Sequence, residues 1–406
     1  MKKIPLSIVT LYQDLLDKKM DQELFFLNLK GERSDGTFVS KTVNRNLYWY
    51  FQTYENGVKK QRYVGPDNEE TKGRIDRLKS YREAVKNSSS EELVSALKNI
   101  PMVPRVYPDE GKILSSLEKS GVFRNGGILV GTQAFRCYPL MIGASLSETA
   151  ARTGDIDVAY DRGVQIFVPE STETIVSKIQ SEITLLPIPT LDTKGRSYSF
   201  KIGGSDLKLE ILTTIKGEET DTERLKSIDE IGFYAQPLEY MDYLIKNPVK
   251  AVFLHGKGIL VNVPSPERFA IHKALLSQIR DEPFKAKSMK DVVQSGLLIN
   301  ALFSHYPTEL MNAIHDFRTM FAKNESAHLK FLSGLSSLRG RVPSDTLTKL
   351  IEELTPKSSH VRCDGPSTDK NEHEKRKSES ENQGGKSERG RGVPSNEEDD
   401  ETLGPS

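Results

Sequence analysis

Asp155 and Asp157 lie one residue apart in "TGDIDVAY", inside an otherwise apolar and β-branched run. Residues two apart in a strand point the same way, so the two carboxylates project side by side while Ile156 and Val158 face the other side. Like charges that close repel unless a cation sits between them. Aspartate oxygens with room for water and phosphate suit Mg²⁺, which prefers octahedral oxygen ligands and is usually held by only a few carboxylates plus the substrate. A strand end at which both aspartates simply reach solvent is the plainer account of the same residues. A third acid, Glu210 in "LKLEIL", is the lone carboxylate of a strand whose Leu207, Leu209 and Ile211 face the opposite way. Pairing of that strand with the first would complete a set for two metal ions. Taken alone, Glu210 is an ordinary surface acid.

Upstream, "GGILVGTQAFRCYP" places Gly131 and Thr132 directly after a short apolar strand and before a helix. Glycine lets a phosphate approach the backbone, and the next hydroxyl can donate to it. A helix start adds exposed N–H groups. A Gly-Thr pair in isolation carries no such meaning.

These residues must be positioned by an alternating pattern between about Tyr107 and Asn262. "DEGKILSSLEKSG" reads as a helix with a glycine stop, "GILV" as a buried strand, and "VPESTETIVSKIQSEI" as a second helix with Ser171 or Thr172 as N-cap. "SYSFKIGGSDLKLEILT" reads as a hairpin turning at Gly203 and Gly204. From "PSPERFAIHKALLSQIR" the chain reads helical to about Leu354, with Ser265 as N-cap and Pro266 at the first helical position. Lys273, Lys287, Lys290 and Asp291 fall on these helices, where a solvated face is the simplest role for a lysine. His272 reads as a packing or capping residue, and Arg152 and Arg162 flank the acidic strand.

The N-terminal part differs. An amphipathic helix around Leu6 to Asp17 precedes "GTFVSKTVNRNLYWYFQTYENGVKKQRYVGPDN", whose β-rich runs and "ENG" turn predict a small antiparallel sheet. Its Tyr48, Trp49, Tyr50, Phe51, Tyr54 and Tyr63 are interleaved with Lys41, Arg45, Lys59, Lys60 and Arg62. That mixture suits nucleic-acid contact through residues 37–65. Equally, alternate aromatics can pack inward behind a solvated basic face. A charged helical stretch from Glu69 to Lys98 follows.

The expected organisation is 1–105 as a helix, small sheet and connecting helices, 106–262 as the core, 263–356 as a helical domain and 357–406 as a disordered tail. The tail is rich in Ser, Glu, Lys, Gly and Asn and has no aromatic residue, so it cannot bury enough apolar surface to offset chain entropy. Basic and acidic residues balance at 57 each, which leaves no global field for a membrane or a polyanion. Cys137 and Cys363 lie far apart, so a disulfide is not expected and a reducing cytoplasm fits. The basic start is followed by an apolar run that Gln13 and Asp14 interrupt, shorter than a signal peptide, and no apolar stretch nears the roughly 18 residues of a membrane span.

The order of strand, Gly-Thr, helix, "DIDV" and a later strand with one acid resembles the DNA-polymerase-β-like nucleotidyltransferase superfamily. More narrowly, "VGTQAFRCYP", "TGDIDVAY", "RFAIHKALLSQIR" and "YWYFQTYENGVKKQRYVGPD" resemble a bacterial group of nucleotidyltransferase-fold proteins of unassigned substrate. The resemblance spans about residues 30 to 355. It implies an α+β fold, with a polymerase-β-like core of mixed sheet and helices between the small sheet and a helical C-terminal domain. It also implies transfer of an NMP from ATP or another NTP to an acceptor, with Mg²⁺ or Mn²⁺ as two ions. Carried over residue by residue, Asp155, Asp157 and Glu210 would be the catalytic metal ligands and Gly131 and Thr132 would hold the phosphates. A lysine of the helical segment, Lys273 or Lys290, would reach the triphosphate. Thr132 in place of Gly or Ser, a longer gap to Asp155, and Glu210 in place of Asp depart from the pattern.

Other classes use parts of this set. Metal-dependent glycosyltransferases also use Asp-x-Asp, but after a longer series of strands and helices. Two-metal nucleases usually carry a lysine two residues after the acid, where this chain has Ala159. A catalytically inactive nucleotidyltransferase-fold module, antitoxin-like or nucleic-acid-binding, is the non-enzymatic alternative. The acceptor, whether RNA, protein or small molecule, is not encoded in these motifs.

Overall fold

Helix α1 (Leu6–Asn28) runs well past the amphipathic stretch that predicts it. It docks through Tyr12 and Leu15, both buried, and the Tyr12 hydroxyl accepts the backbone N–H of Val252 at 3.0 Å. The antiparallel sheet follows as β1 (Thr37–Val43), β2 (Asn46–Glu55) and β3 (Val58–Pro66). Its first turn uses Asn44 and Arg45, both at positive φ, which matches the right-handed twist of the paired strands. The "ENG" residues Asn56 and Gly57 lie outside the described residues, but Glu55 and Val58 pair on either side of them. The charged stretch forms two helices, α2 (Glu69–Lys86) and α3 (Ser90–Lys98).

The computed structural model describes residues 2–28, 36–55, 58–86, 90–146, 154–161, 175–190, 195–215, 225–229, 231–280 and 285–355. The proposed N-caps Ser171 and Thr172, the flanking Arg152 and Arg162, and the C-terminal tail lie outside them. Residues 1–357 form one compact unit.

In the middle of the chain α4 (Pro108–Lys119) leads through β4 (Ile128–Val130) into the short helices α5 (Gly131–Phe135) and α6 (Tyr138–Ile142). Next come β5 (Asp155–Tyr160), α7 (Ile175–Glu182), β6 (Leu185–Pro187), β7 (Ser199–Ile202) and β8 (Lys208–Thr214). Strands β9 (Lys226–Ile228) and β10 (Phe233–Leu238) complete a mixed sheet in the order β4-β5-β8-β10-β9. Strand β5 is antiparallel to β4 and parallel to β8. The far edge of β8 is shared: β7 pairs with its first half at Lys208–Glu210, and β10 with its second half at Leu212–Thr214. This sharing brings Glu210 into a strand flanked on both sides while still near a sheet margin.

Helix α8 (Met241–Ile245) and the hairpin β11 (Val249–Phe253) with β12 (Ile259–Val263) then lead to the helical part. That part comprises α9 (Pro266–Leu276), α10 (Lys285–His305), α11 (Pro307–Met320), α12 (Glu325–Ser336) and α13 (Ser344–Leu354). Ser265 caps α9 by accepting the Arg268 backbone N–H, and Pro266 occupies the first turn, where its missing donor costs nothing. One continuous apolar core joins the sheet to α9–α13. A second core unites α1, α3 and α6 with β11 and β12. Among the described residues no helix is long and apolar enough to cross a membrane.

Candidate active site

The acids are set by strand register. Asp157 pairs with Glu210 on β8 and with Val130 on β4, and Glu210 pairs in turn with Ser199 on β7. A row Val130, Asp157, Glu210, Ser199 therefore crosses four strands, and paired residues in a sheet share a face. Asp155, two residues before Asp157, lies on that face opposite Lys208. Ile156, Val158, Leu209 and Ile211 are buried on the other face. The apolar face anchors the strands in the core and thereby fixes which way the acids point.

Immediately after Val130 the chain turns at Gly131, whose φ of +64° is left-handed. A β-carbon there would lie 2.3 Å from Oδ2 of Asp157. Only a residue without a side chain lets the aspartate lie against this turn. Helix α5 is held from behind by a buried ion pair between Arg136 and Glu110, and Arg136 also donates to Oε1 of Gln133 at 3.2 Å. Glu110 in addition accepts the backbone N–H of Tyr107 at the start of α4 at 3.3 Å. Phe135 and Tyr138 pack against Phe269 of α9, and the Tyr138 hydroxyl donates to the carbonyl of Pro264 at 3.0 Å.

Crowding perturbs the acids. Burial, then Glu210, then Asp155 push the Asp157 carboxyl up from 3.8 to about 7, against opposing effects from Lys273 and Lys287. Glu210 is raised as well, by burial and then by Asp155, while the Ser199 hydroxyl, donating to Oε1 at 3.3 Å, offsets part of the rise. Two carboxyls on adjacent strands, both raised first by burial and then by a neighbouring acid, mark a place where a cation would be favoured.

The basic residues come from α9 and α10. Lys287 reaches Asp155 at 3.8 Å. Lys290 is half-buried, makes no hydrogen bond or ion pair among the described residues, and has its pKa lowered by burial and then by Lys273. Lys273 is 8% exposed and bound to Asp291 at 2.6 Å, and Arg280 donates to the other oxygen of Asp291 at 2.6 Å. Lys273 is thus committed to a buried pair, near enough to the acids to favour the ionised form of Asp157. Ser199, Arg136 and Glu110 carry no sequence signal for this site, because only strand and helix packing bring them to it. His272 is buried, neither of its ring nitrogens is hydrogen-bonded among the described residues, and burial lowers its pKa to about 3, so it is neutral and unsuited to proton uptake near pH 7.

Asp291 supports the helical wall, and its removal would leave Lys273 buried without a partner. We expect Asp291→Ala to cost about 3 kcal/mol, the scale for breaking a buried pair from one side. A urea denaturation midpoint unchanged from wild type would refute that role.

The match that decides the family covers more than half of the chain: residues 109–319 fit the model for nucleotidyltransferases. The chain belongs to the nucleotidyltransferase family. No curated protein and no solved structure matches it. The matched region of this nucleotidyltransferase contains the acidic row, the Gly131 turn and the lysines of α9 and α10, and the family supports transfer of a nucleotidyl group in general terms.

Among the described residues no three His, Cys, Asp or Glu side chains are gathered into a metal-ligating cluster, with Glu210 held by Ser199 and Asp155 facing Lys287. The chemistry of the donor set nevertheless fits a hard divalent cation: three carboxylates on one sheet face, two of them with raised pKa values. A consequence is measurable in chelator. Because Asp157 ionises near 3.8 when unfolded and near 7 when folded, the folded chain holds the extra proton between those values. Its contribution to stability therefore falls as pH rises from about 4 to 7. His272 works in the opposite sense, so the Asp157 part is read as the difference between wild type and Asp157→Asn. The substitution should raise the melting temperature more at pH 8 than at pH 5, and an equal shift at both would refute the coupling.

Proposed function

We propose that this nucleotidyltransferase transfers an NMP from a nucleoside triphosphate to an acceptor hydroxyl, with pyrophosphate leaving, in a polymerase-β-like core. Asp155, Asp157 and Glu210 would hold two divalent cations, Mg²⁺ or Mn²⁺. The observation that carries the reading is the register row that sets Asp157 beside Glu210 and against the bare backbone of Gly131. When bound, such cations neutralise the triphosphate and acidify the attacking hydroxyl.

The chain's own residues divide the remaining work. The Gly131 turn, with Asp157 lying against its bare flank, and the Thr132 hydroxyl would hold the phosphates beside the acids. Lys290, with no ion pair to surrender among the described residues, offers its ammonium to the triphosphate, and Lys287 can leave Asp155 to do likewise. Lys273, paired with Asp291, adds its positive field from within the wall. Glu210, whose pKa lies above that of an ordinary carboxylate, accepts the acceptor's proton or orients it, and Ser199 fixes its rotamer.

An inactive binding module is disfavoured by the same crowding. Three repelling carboxylates have no packing use, and their retention costs stability unless a charged ligand meets them. The test is incubation with each α-labelled NTP, Mg²⁺ and extract, followed by release of pyrophosphate and by label in RNA, protein or small molecules. Binding of NTP with no pyrophosphate released under any condition would favour the module instead.

A further inference from the structure

The small sheet has two unlike faces. On one, Phe51 is buried and packs against a tilted Phe38 ring at 5.0 Å, and the Trp49 indole donates to Asp67 at 2.7 Å. Lys79 of α2 lies 5.9 Å from the Trp49 ring, and Gly65 abuts Thr71 of α2, so this helix backs that face. Strand register places Tyr48, Tyr50, Gln52, Tyr54, Gln61, Tyr63, Lys41 and Lys59 together on the opposite face.

There Tyr54 is 61% and Tyr63 53% exposed. Tyr63 contacts Tyr48 at 5.9 Å and Tyr50 at 5.7 Å between ring centres, and the Lys41 ammonium lies 5.2 Å from the Tyr50 ring. Between the rings runs a polar relay: Lys41 donates to Gln61, Gln61 to Gln52 at 2.7 Å, and Gln52 to the Tyr54 hydroxyl at 3.1 Å. Of the basic residues in 37–66, register places Lys41 and Lys59 on this face with no acid beside them among the described residues, Arg45 lies in the first turn, and Lys60 and Arg62 pair with Thr53 and Phe51 on the other face. The ring contacts among Tyr48, Tyr50 and Tyr63 support the sheet, whereas the surface that Tyr54 and Tyr63 leave in water contributes nothing to folding and stays open to a ligand.

We infer that this tyrosine face binds single-stranded RNA, with bases stacked on Tyr54, Tyr63 and their neighbours and phosphates met by Lys41 and Lys59. Stacking of this kind requires unpaired bases, because a duplex hides their faces. The two lysines of this face, Lys41 and Lys59, complement the phosphate backbone, although the whole chain is neutral. Glutamine amides and tyrosine hydroxyls between the rings supply donors and acceptors for ribose 2′-hydroxyls and base edges, which favours RNA over DNA. The inference stands apart from the transferase reading, since binding here needs no turnover.

Fluorescence anisotropy of the full chain with labelled single-stranded RNA of about 12 nucleotides tests it, a length within the range such surfaces span. Binding should weaken with salt, and Lys59→Ala should lower the log–log salt slope by about 0.7. Tyr54→Ala and Tyr63→Ala should each weaken binding about tenfold, while Tyr54→Phe and Tyr63→Phe, which keep the ring, retain it. No binding at about 50 mM salt, where electrostatic contacts are strong, overturns the proposal. So does binding that both alanine variants leave intact, or binding of single-stranded DNA or duplex RNA as tight as that of single-stranded RNA.

Discussion

Replacing Asp157 by alanine should abolish nucleotidyl transfer while leaving the protein folded. On the proposed reading Asp157, paired with Glu210 and on the same face as Asp155, is one of three carboxylates that would hold the cations, so its loss would remove charge stabilisation worth several kcal/mol in the transition state. Each 1.36 kcal/mol is a factor of ten, which puts the expected loss at about 10³-fold or more in kcat. The fold should survive, because among the described residues the side chain makes no hydrogen bond to the core, and its repulsion from Glu210 disappears with it. Glu210→Gln is a milder change: it keeps a side-chain oxygen and the Ser199 contact but cannot accept a proton. Steady-state release of pyrophosphate with NTP and Mg²⁺, beside a melting curve, separates the outcomes. Turnover in Asp157→Ala within about tenfold of wild type would dismiss the acidic row as the reaction centre, since a factor of ten is only about 1.4 kcal/mol.

Much of the frame that presents this row can be read from local chemistry. Alternation in "DIDVAY" and "KLEILTT" determines which side chains share a face, and Gly203 with Gly204 marks the hairpin that joins β7 to β8. Ser265 and Pro266 announce the start of α9 by capping alone. What local chemistry does not reveal is which strands become neighbours. Glu210 meets Asp157 only because β8 lies parallel to β5 across a long connection, and it meets Ser199 only because β7 and β10 divide one edge of β8. The Asn44–Arg45 turn is obscure for another reason, since arginine has no preference for positive φ. Docking of α1 on β11, far apart in the chain, likewise depends on the Tyr12 hydroxyl finding Val252 in space. The lysines show the same limit. Periodicity places Lys273, Lys287 and Lys290 on helices, but packing of α9 against α10 decides that Lys273 is consumed by Asp291 and that Lys287 faces Asp155.

Gly131→Ala should separate the position of the carboxylate from its chemistry. The left-handed φ of +64° costs an alanine about 1 kcal/mol, and the new methyl would sit 2.3 Å from Oδ2 of Asp157. The obstructing atom is the end of a side chain rather than backbone, so Asp157 can swing aside and the protein remains folded, with a stability loss of about 1 to 2 kcal/mol. The displaced oxygen, however, no longer stands in the row with Glu210, and a shift of about 1 Å in a reacting group is enough for a loss on the order of 10²-fold in kcat. A double-mutant cycle distinguishes the two contributions. On an Asp157→Ala background the methyl has nothing to strike, so Gly131→Ala should cost only the backbone strain, and the difference between backgrounds measures the contact itself. Identical stability losses in both backgrounds, together with full activity of the single variant, would show that Gly131 serves the turn alone and that Asp157 does not depend on its open flank.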